Sequence, residues 1–129
     1  MKDNDRKSVE KLIYYCNRLE EHVIAFGNSK EEYMINKQYQ DACSLVIIQI
    51  GEHVGRLSDE FKEEHRDIPW RDIKDMRNIF AHNYDNVMFD ISWETITEDL
   101  PYFKEYLEKL IWLINKNLDY KNHWIKINK

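Results

Sequence analysis

Apolar residues recur along this chain at steps of three and four, which is the spacing of one face of an α-helix. The first such stripe comprises Val9, Leu12, Ile13, Cys16, Leu19, Val23 and Phe26. Gly27 follows directly, so the pattern predicts a first helix that stops at this glycine. The next residues, Ser29-Lys30-Glu31-Glu32, have the form of a capping box, in which Ser29 accepts from the Glu32 amide and opens a second helical stretch.

A second apolar stripe continues that stretch after a break predicted near Asn36. It comprises Tyr39, Cys43, Val46, Ile47, Ile50, Val54 and Leu57, and we expect its helix to end at Leu57 or Ser58. Gly51 and Gly55 lie inside this pattern. Because each Gly costs a helix about 1 kcal/mol relative to Ala, we expect another helix to approach closely on their side.

The second half of the chain predicts two more long helices. Residues 59–67 are strongly charged and indicate only a short helix or loop, and Pro69 is predicted to be the first residue of the next helix. The inner stripe of that helix comprises Ile73, Met76, Arg77, Phe80, Ala81 and Tyr84. After a connection over residues 83–89, the last long helix starts near Asp90 or Ser92, and Pro101 should kink or restart it.

Short connections between these helices favour an all-α fold, an antiparallel bundle of four or five helices. The 129 residues correspond to one domain, which we expect to span residues 1–129. Only three Gly and two Pro are present, too few for the many turns of an all-β fold. Cys16 and Cys43 fall within apolar helical patterns, so buried reduced thiols are expected rather than a disulfide.

Charge and hydropathy narrow the class of protein further. The net charge is −5, whereas the Lys-rich C-terminal end, residues 116–129, carries four Lys and one Asp. Any contact with RNA would therefore need a local basic patch on an acidic body. Apolar runs such as residues 45–48 are too short to span a membrane, and the first residues lack the apolar stretch of a signal peptide. We therefore expect a cytoplasmic protein with no membrane partner.

The residues Arg77, His82 and Tyr84 are the candidates for chemistry. On an ideal helix Arg77 and Tyr84 face within about 20° of each other, and a helix ending near His82 could turn that side chain toward both. Cleavage of RNA needs a group that transfers a proton, as His does, and a cation for the charge on phosphorus, as Arg supplies. Chemistry alone favours a structural explanation, in which Arg77 pairs with Glu52 or Asp75 and His82 caps the helix.

Metal and nucleotide sites leave no signature in this sequence. None of the five His has a Glu three residues before it, as the di-metal sites of helical bundles require. There is no Cys-x-x-Cys, no His-Glu-x-x-His and no Gly-rich phosphate loop. We therefore expect no metal and no cofactor, and we do not expect the chain itself to be a nucleotidyltransferase.

The segment Arg77-Asn78-Ile79-Phe80-Ala81-His82-Asn83-Tyr84 matches a longer signature: Arg, usually followed by Asn, then His five residues after the Arg and Tyr two residues later. Three further segments fit the same pattern in the same order, namely Ile50-Gly51-Glu52, Ile68-Pro69-Trp70 and Ile96-Thr97-Glu98-Asp99-Leu100-Pro101. From Ile47 to Leu110 the chain thus resembles the HepT-like family of HEPN domains, the toxin halves of HEPN–MNT toxin–antitoxin pairs.

This resemblance implies a homodimer of helical bundles in which two copies of the motif face each other across a cleft. It implies that Arg77 and His82 catalyse metal-independent cleavage of RNA, with Asn78 in a supporting role, and we expect Glu52 to pair with Arg77. The implied partner is an MNT-type nucleotidyltransferase antitoxin of a type VII-like system, which neutralises the toxin by transferring AMP to Tyr84.

Two alternatives stay open at this point. His53 follows Glu52 where the family more often has a small residue, and we expect an ordinary packed histidine rather than a partner of the site. The chain could also be a non-catalytic helical binding module, which serves only as the partner or substrate of a nucleotidyltransferase.

Overall fold

The computed structural model describes residues 1–116, and all regular elements within them are helical. The helices are α1 (Asp3–Phe26), α2 (Lys30–Ile35), α3 (Lys37–Gly55), α4 (Asp59–Glu64), α5 (Trp70–His82), α6 (Phe89–Glu94) and α7 (Leu100–Asn115). A short 3-10 turn (Tyr84–Asn86) follows α5, and a π-helical segment (Thr95–Asp99) joins α6 to α7. The predicted all-α helical bundle is confirmed. Most of the Lys-rich end, residues 117–129, lies outside the described residues.

Contacts between helix ends show that α1 and α3 run antiparallel. Asp5, near the start of α1, accepts from the backbone N–H of Ser58, just after the end of α3, at 2.8 Å. At the other end, the rings of Phe26 and Tyr39 stack with centroids 4.8 Å apart. These two contacts join the first turn of α1 to the segment just after α3, and the last turn of α1 to the first turn of α3.

Helix α7 is antiparallel to α1 by the same reasoning. The Arg6 guanidinium donates to the side chain of Asn115 at 2.7 Å, and Lys104 pairs with Glu20 at 2.9 Å. The start of α1 therefore lies beside the end of α7, and the start of α7 beside the later turns of α1.

The core lies between α1, α3, α5 and α7, and it is formed by the apolar stripes. Cys16 and Cys43 belong to it as free, buried thiols, as expected, and burial raises the pKa of each thiol to about 12. Its fully buried side chains include Val9, Leu12, Tyr33, Tyr39, Ile47, Ile50 and Leu107. None of the helices described in residues 1–116 is both long and apolar enough to cross a bilayer.

Local capping fixes the boundaries in the first half of the bundle. Gly27 stops α1 with a φ of +109°, a conformation that favours glycine. The Ser29 hydroxyl accepts from the Glu32 amide at 3.3 Å and opens α2, as the capping box predicts. The Asn36 side chain accepts from the Tyr39 amide at 3.1 Å, so the predicted break near Asn36 is a helix cap.

Helix boundaries differ from the predictions in two places. Helix α3 ends at Gly55, a turn before the predicted Leu57 or Ser58. Pro69 is the N-cap of α5 and not, as predicted, its first helical residue. Its carbonyl accepts from the Ile73 amide at 3.2 Å, and the helix begins at Trp70.

The predicted last helix is divided in the structure. Helix α6 starts at Phe89, slightly before the predicted Asp90 or Ser92, and α7 follows from Leu100 after the π-helical segment. Pro101 is the second residue of α7, directly after the π-helical segment. Pro101 has no N–H that could donate to the carbonyl of Thr97. The α-helical hydrogen-bond pattern is therefore interrupted on the N-terminal side of Pro101, where the π-helical segment lies.

Candidate active site

Helix α5 lies directly against α3, and Gly51 makes this contact possible. A Cβ atom built on Gly51 would lie 2.2 Å from Cβ and 2.4 Å from Cγ of Arg77. Carbon atoms in favourable contact are about 3.5–4.0 Å apart, so the stem of Arg77 lies on the bare backbone of α3. The close approach predicted for both glycines is confirmed for Gly51 and wrong for Gly55, where a Cβ would meet no described atom within 4 Å.

The guanidinium of Arg77 binds three side chains around this contact. Its Nη2 donates to Oε1 of Glu52 on α3, and its Nη1 donates to Oδ1 of Asn78 at 2.8 Å. The same Nη1 lies 3.5 Å from Nε2 of His82. The hydrogen bond and the charge of Arg77 hold the pKa of the Glu52 carboxyl below its usual range. The expected pairing of Glu52 with Arg77 is thus present.

One buried nitrogen of the Arg77 guanidinium lacks a hydrogen-bond partner within the described part of the chain. The Arg77 Nε is buried and has no hydrogen-bond partner among residues 1–116. A buried donor without a partner costs about 1–3 kcal/mol. Such a cost in a folded protein calls for an explanation, and a functional role is one of the recognised ones.

His82 reaches Arg77 because α5 stops there. His82 is the last helical residue, and the amide of Asn83 closes the helix by donating to the Ile79 carbonyl at 2.9 Å. The His82 side chain is exposed at this helix end. Its ring can therefore contact the guanidinium of Arg77 and an incoming substrate together.

Tyr84 lies beyond α5, in the 3-10 turn. Its ring packs against those of Phe80 and Phe89, with centroids 6.4 and 5.8 Å away. Its hydroxyl donates to Oδ1 of Asp41 at 2.5 Å and lies 3.4 Å from Oγ of Ser44. Both of these partners belong to the first half of α3.

The expectation that Tyr84 shares a helix face with Arg77 is wrong, because α5 has ended before Tyr84. The two side chains bind α3 at Asp41 and at Glu52, which lie eleven residues apart. Eleven residues of α-helix span about 16 Å and return to within about 20° of the same direction. The tyrosine hydroxyl and the guanidinium therefore bind two ends of one face of α3.

His53 is an ordinary packed histidine, in agreement with the expectation from the sequence. It is 6% exposed and stacks on Tyr15 of α1, with ring centroids 5.5 Å apart. Burial, together with the positive charges of Arg56 and Lys11, lowers its pKa. His53 thus packs on the α1 side of α3.

Comparison with known proteins places the chain in a family. A model of the family described as Ribonuclease HepT-like matches residues 12–110, well over half of the chain. The chain belongs to this family. The resemblance inferred from Arg77 to Tyr84 is therefore confirmed at the level of the family.

Several relatives of this HepT-like chain carry names that refer to RNA cleavage. A protein of Thermococcus cleftensis, "Probable ribonuclease HepT", is 35% identical over 80 residues, which cover 62% of this chain and 73% of the relative. A "Putative RNase" of Caldanaerobacter subterraneus subsp. tengcongensis is 29% identical over 108 residues, covering 82% and 93%.

A third relative is longer than this HepT-like chain. A "Gamma-glutamylcyclotransferase and putative RNase" of Methanocaldococcus jannaschii is 32% identical over 93 residues, which are 72% of this chain but 42% of that protein. The chain thus spans less than half the length of this relative. No solved structure gave a significant match.

Sequence reasoning missed Asp41 and Ser44, the hydroxyl partners of Tyr84 in this HepT-like chain. The signal that could have found Asp41 is its spacing from Glu52, since Asp41, Leu45, Ile48 and Glu52 follow one another by four, three and four residues. No group of three or more metal-ligating side chains occurs within residues 1–116.

Proposed function

We propose that this HepT-like protein is a metal-independent endoribonuclease whose catalytic residues are Arg77 and His82. The observation that carries the proposal is the 3.5 Å approach of Arg77 Nη1 to His82 Nε2 at the exposed end of α5. The family, and the relatives whose names refer to ribonucleases, support the same chemistry.

In the proposed reaction, the imidazole of His82 takes the proton of a ribose 2′-hydroxyl. The 2′-oxygen attacks the adjacent phosphorus, the bond from phosphorus to the 5′-oxygen breaks, and a cyclic phosphate and a 5′-hydroxyl end result. Arg77 stabilises the extra negative charge at phosphorus. Asn78 and Glu52 are positioning residues, because each accepts from one nitrogen of the guanidinium.

We further propose that the active form is a homodimer in which two motifs face each other. The leaving 5′-oxygen needs a proton, while the described contacts of Arg77 include a single imidazole. A second copy would supply the second His82. The apolar surface beside α5, the helix that carries Arg77 and His82, supports this arrangement. On this surface Ile79, Met88 and Ile91 are 44, 61 and 52% exposed. These three side chains line a groove of about 650 Å³ between α5, α6 and the start of α7.

The regulation that we propose is AMP transfer to Tyr84 by an MNT-type nucleotidyltransferase antitoxin, as in a type VII-like toxin–antitoxin system. The hydroxyl of Tyr84 meets the exposed Asp41 carboxylate and is thus close to solvent. An AMP group there would add phosphate charge and bulk on the α3 face that also holds Arg77. It would obstruct the path of RNA rather than contact Arg77 of the same chain.

Cleavage of a single-stranded RNA by the purified protein in EDTA tests the ribonuclease proposal. We expect His82→Ala to lower the rate by about 10²–10⁴-fold, the usual contribution of a proton-transfer group. His22→Ala, which removes a histidine of α1, is the matched control and should retain the rate. Unchanged cleavage by the His82→Ala protein would remove His82 from the mechanism. An intact protein that cleaves no RNA, but accepts AMP from the nucleotidyltransferase, would favour the non-catalytic binding module.

A further inference from the structure

The hydroxyl proton of Tyr84 has one strong acceptor. Its oxygen lies 2.5 Å from Oδ1 of Asp41, at the short end of the range for O–H···O⁻ bonds. Ser44 is the other neighbour: its hydroxyl donates to the Tyr84 oxygen at 3.4 Å and to the Gln40 carbonyl at 2.6 Å. Because a serine has one hydroxyl proton, the shorter bond to Gln40 is the stronger of the two, and the donation from Ser44 to the Tyr84 oxygen is weak.

We infer that Asp41 is the general base that activates Tyr84 as the acceptor of a nucleotidyl group. The inference rests on the proposed function in that it takes Tyr84 as the site of AMP transfer. The tyrosine oxygen forms a bond to the α-phosphorus of an ATP molecule that the nucleotidyltransferase supplies. The bond from that phosphorus to the bridging oxygen breaks, pyrophosphate leaves, and the phenolic proton passes to Oδ1 of Asp41.

The surroundings of the pair explain why a base is needed and how Asp41 can release the proton afterwards. Burial, and then the hydrogen bond to Asp41, raise the pKa of Tyr84 above its ordinary value, which disfavours the phenolate that would attack phosphorus. Asp41 itself is exposed on the surface of α3. A proton that it takes from Tyr84 can therefore pass on to water.

A purely structural role for Asp41 makes the opposite prediction. If the carboxylate only anchored the ring, its negative charge would suppress the phenolate, and removing that charge would lower the pKa of Tyr84. A larger fraction of Tyr84 would then be phenolate at a given pH, and the reaction at its oxygen would not be slowed. The variant Asp41→Asn separates the two roles, because its amide oxygen can still accept from the hydroxyl but is a far weaker base.

The test uses the purified full chain and an aryl sulfonyl fluoride, which needs neither RNA nor an antitoxin. The tyrosine oxygen bonds to sulfur, the S–F bond breaks, and fluoride leaves. Labelling of Tyr84 is followed by peptide mass spectrometry from about pH 6 to pH 9. We expect Asp41→Asn to label Tyr84 about 100-fold more slowly at pH 7, with a rate that rises about tenfold per pH unit as the phenolate forms. The wild-type rate should depend less on pH.

Asp85→Asn is the control, since it removes an equal charge next to Tyr84 from a side chain that is not among the described partners of the hydroxyl. Its rate should match the wild type. Labelling of the Asp41→Asn protein that is as fast as the wild type, or faster, overturns the inference. If the wild type cleaves no RNA while labelling still requires Asp41, the ribonuclease proposal fails and the role of Asp41 stands.

Discussion

The contact between Gly51 and Arg77 predicts that adding one methyl group will force α3 and α5 apart. In Gly51→Ala the new Cβ would lie 2.2 Å from Cβ of Arg77. Both atoms are fixed to helix backbones, so no side-chain rotation can relieve the overlap. Restoring an ordinary contact of about 3.7 Å requires the two helices to separate by about 1.5 Å.

The expected loss of stability follows from two opposing effects. Overpacking a core costs about 1–3 kcal/mol, and the upper end applies where neither atom can rotate away. Replacing a helical Gly by Ala returns about 1 kcal/mol. The free energy of unfolding of Gly51→Ala should therefore fall by about 2 kcal/mol, and Tm by about 8 °C for a chain of this length.

Urea denaturation and thermal melting measure this loss, with Gly55→Ala as the matched control. A Cβ at Gly55 meets no described atom within 4 Å, so that variant should gain up to about 1 kcal/mol from helix propensity alone. Folded Gly51→Ala should also cleave RNA about 100-fold more slowly, because the guanidinium is displaced by more than 1 Å. If Gly51→Ala were as stable as Gly55→Ala, the close approach of the two helices would be refuted.

Two further predictions concern stability. Burial holds the pKa of His53 below its ordinary 6.5, so the unfolded chain takes up a proton first as the pH falls. The contribution of His53 to stability is therefore full above about pH 6.5 and is lost as the pH falls toward its pKa in the folded protein. Between about pH 7.5 and pH 5.5, Tm should drop less in His53→Gln than in the wild type. An equal drop in the two proteins would contradict this. Ser58→Ala removes the N-cap of α4, where the serine oxygen accepts from the Phe61 amide, and a 2.6 Å hydrogen bond to the buried Asp5. This change should lower the free energy of unfolding by about 2–3 kcal/mol in urea denaturation. Ser29→Ala removes the cap of α2 and should cost only about 1 kcal/mol, so equal losses would show that the bond from Ser58 to Asp5 adds no stability.

The order and type of the long helices could be predicted because the signals are local. The stripe from Val9 to Phe26 lies within α1, which begins earlier, at Asp3, and ends at the predicted stop before Gly27. The end of α5 could not be found in this way. Tyr84 continues the helical spacing of the apolar stripe, yet it reaches the core from a separate turn, where its ring packs on Phe80 and Phe89. Apolar spacing records that a side chain is buried, not which backbone conformation brings it there.

The candidate site divides along the same line. Pairing of Arg77 with Glu52 could be expected because an arginine in an apolar stripe needs a partner. Asp41 was missed because its meeting with Tyr84 depends on how far α5 runs past α3 and on where the chain turns after His82. That register is set by the contact at Gly51, a tertiary feature that no local pattern contains.

The single face of α3 that carries both Asp41 and Glu52 has a consequence for how such a protein can evolve. On the proposed function, α3 binds the catalytic Arg77 near one end and, near the other, Tyr84, the residue that receives AMP from the antitoxin. A substitution that slides α3 along α5 would alter both at once. Mutations that abolish neutralisation by changing this register would therefore also impair the toxin, so the chain could not easily acquire an uncontrolled active form by that route.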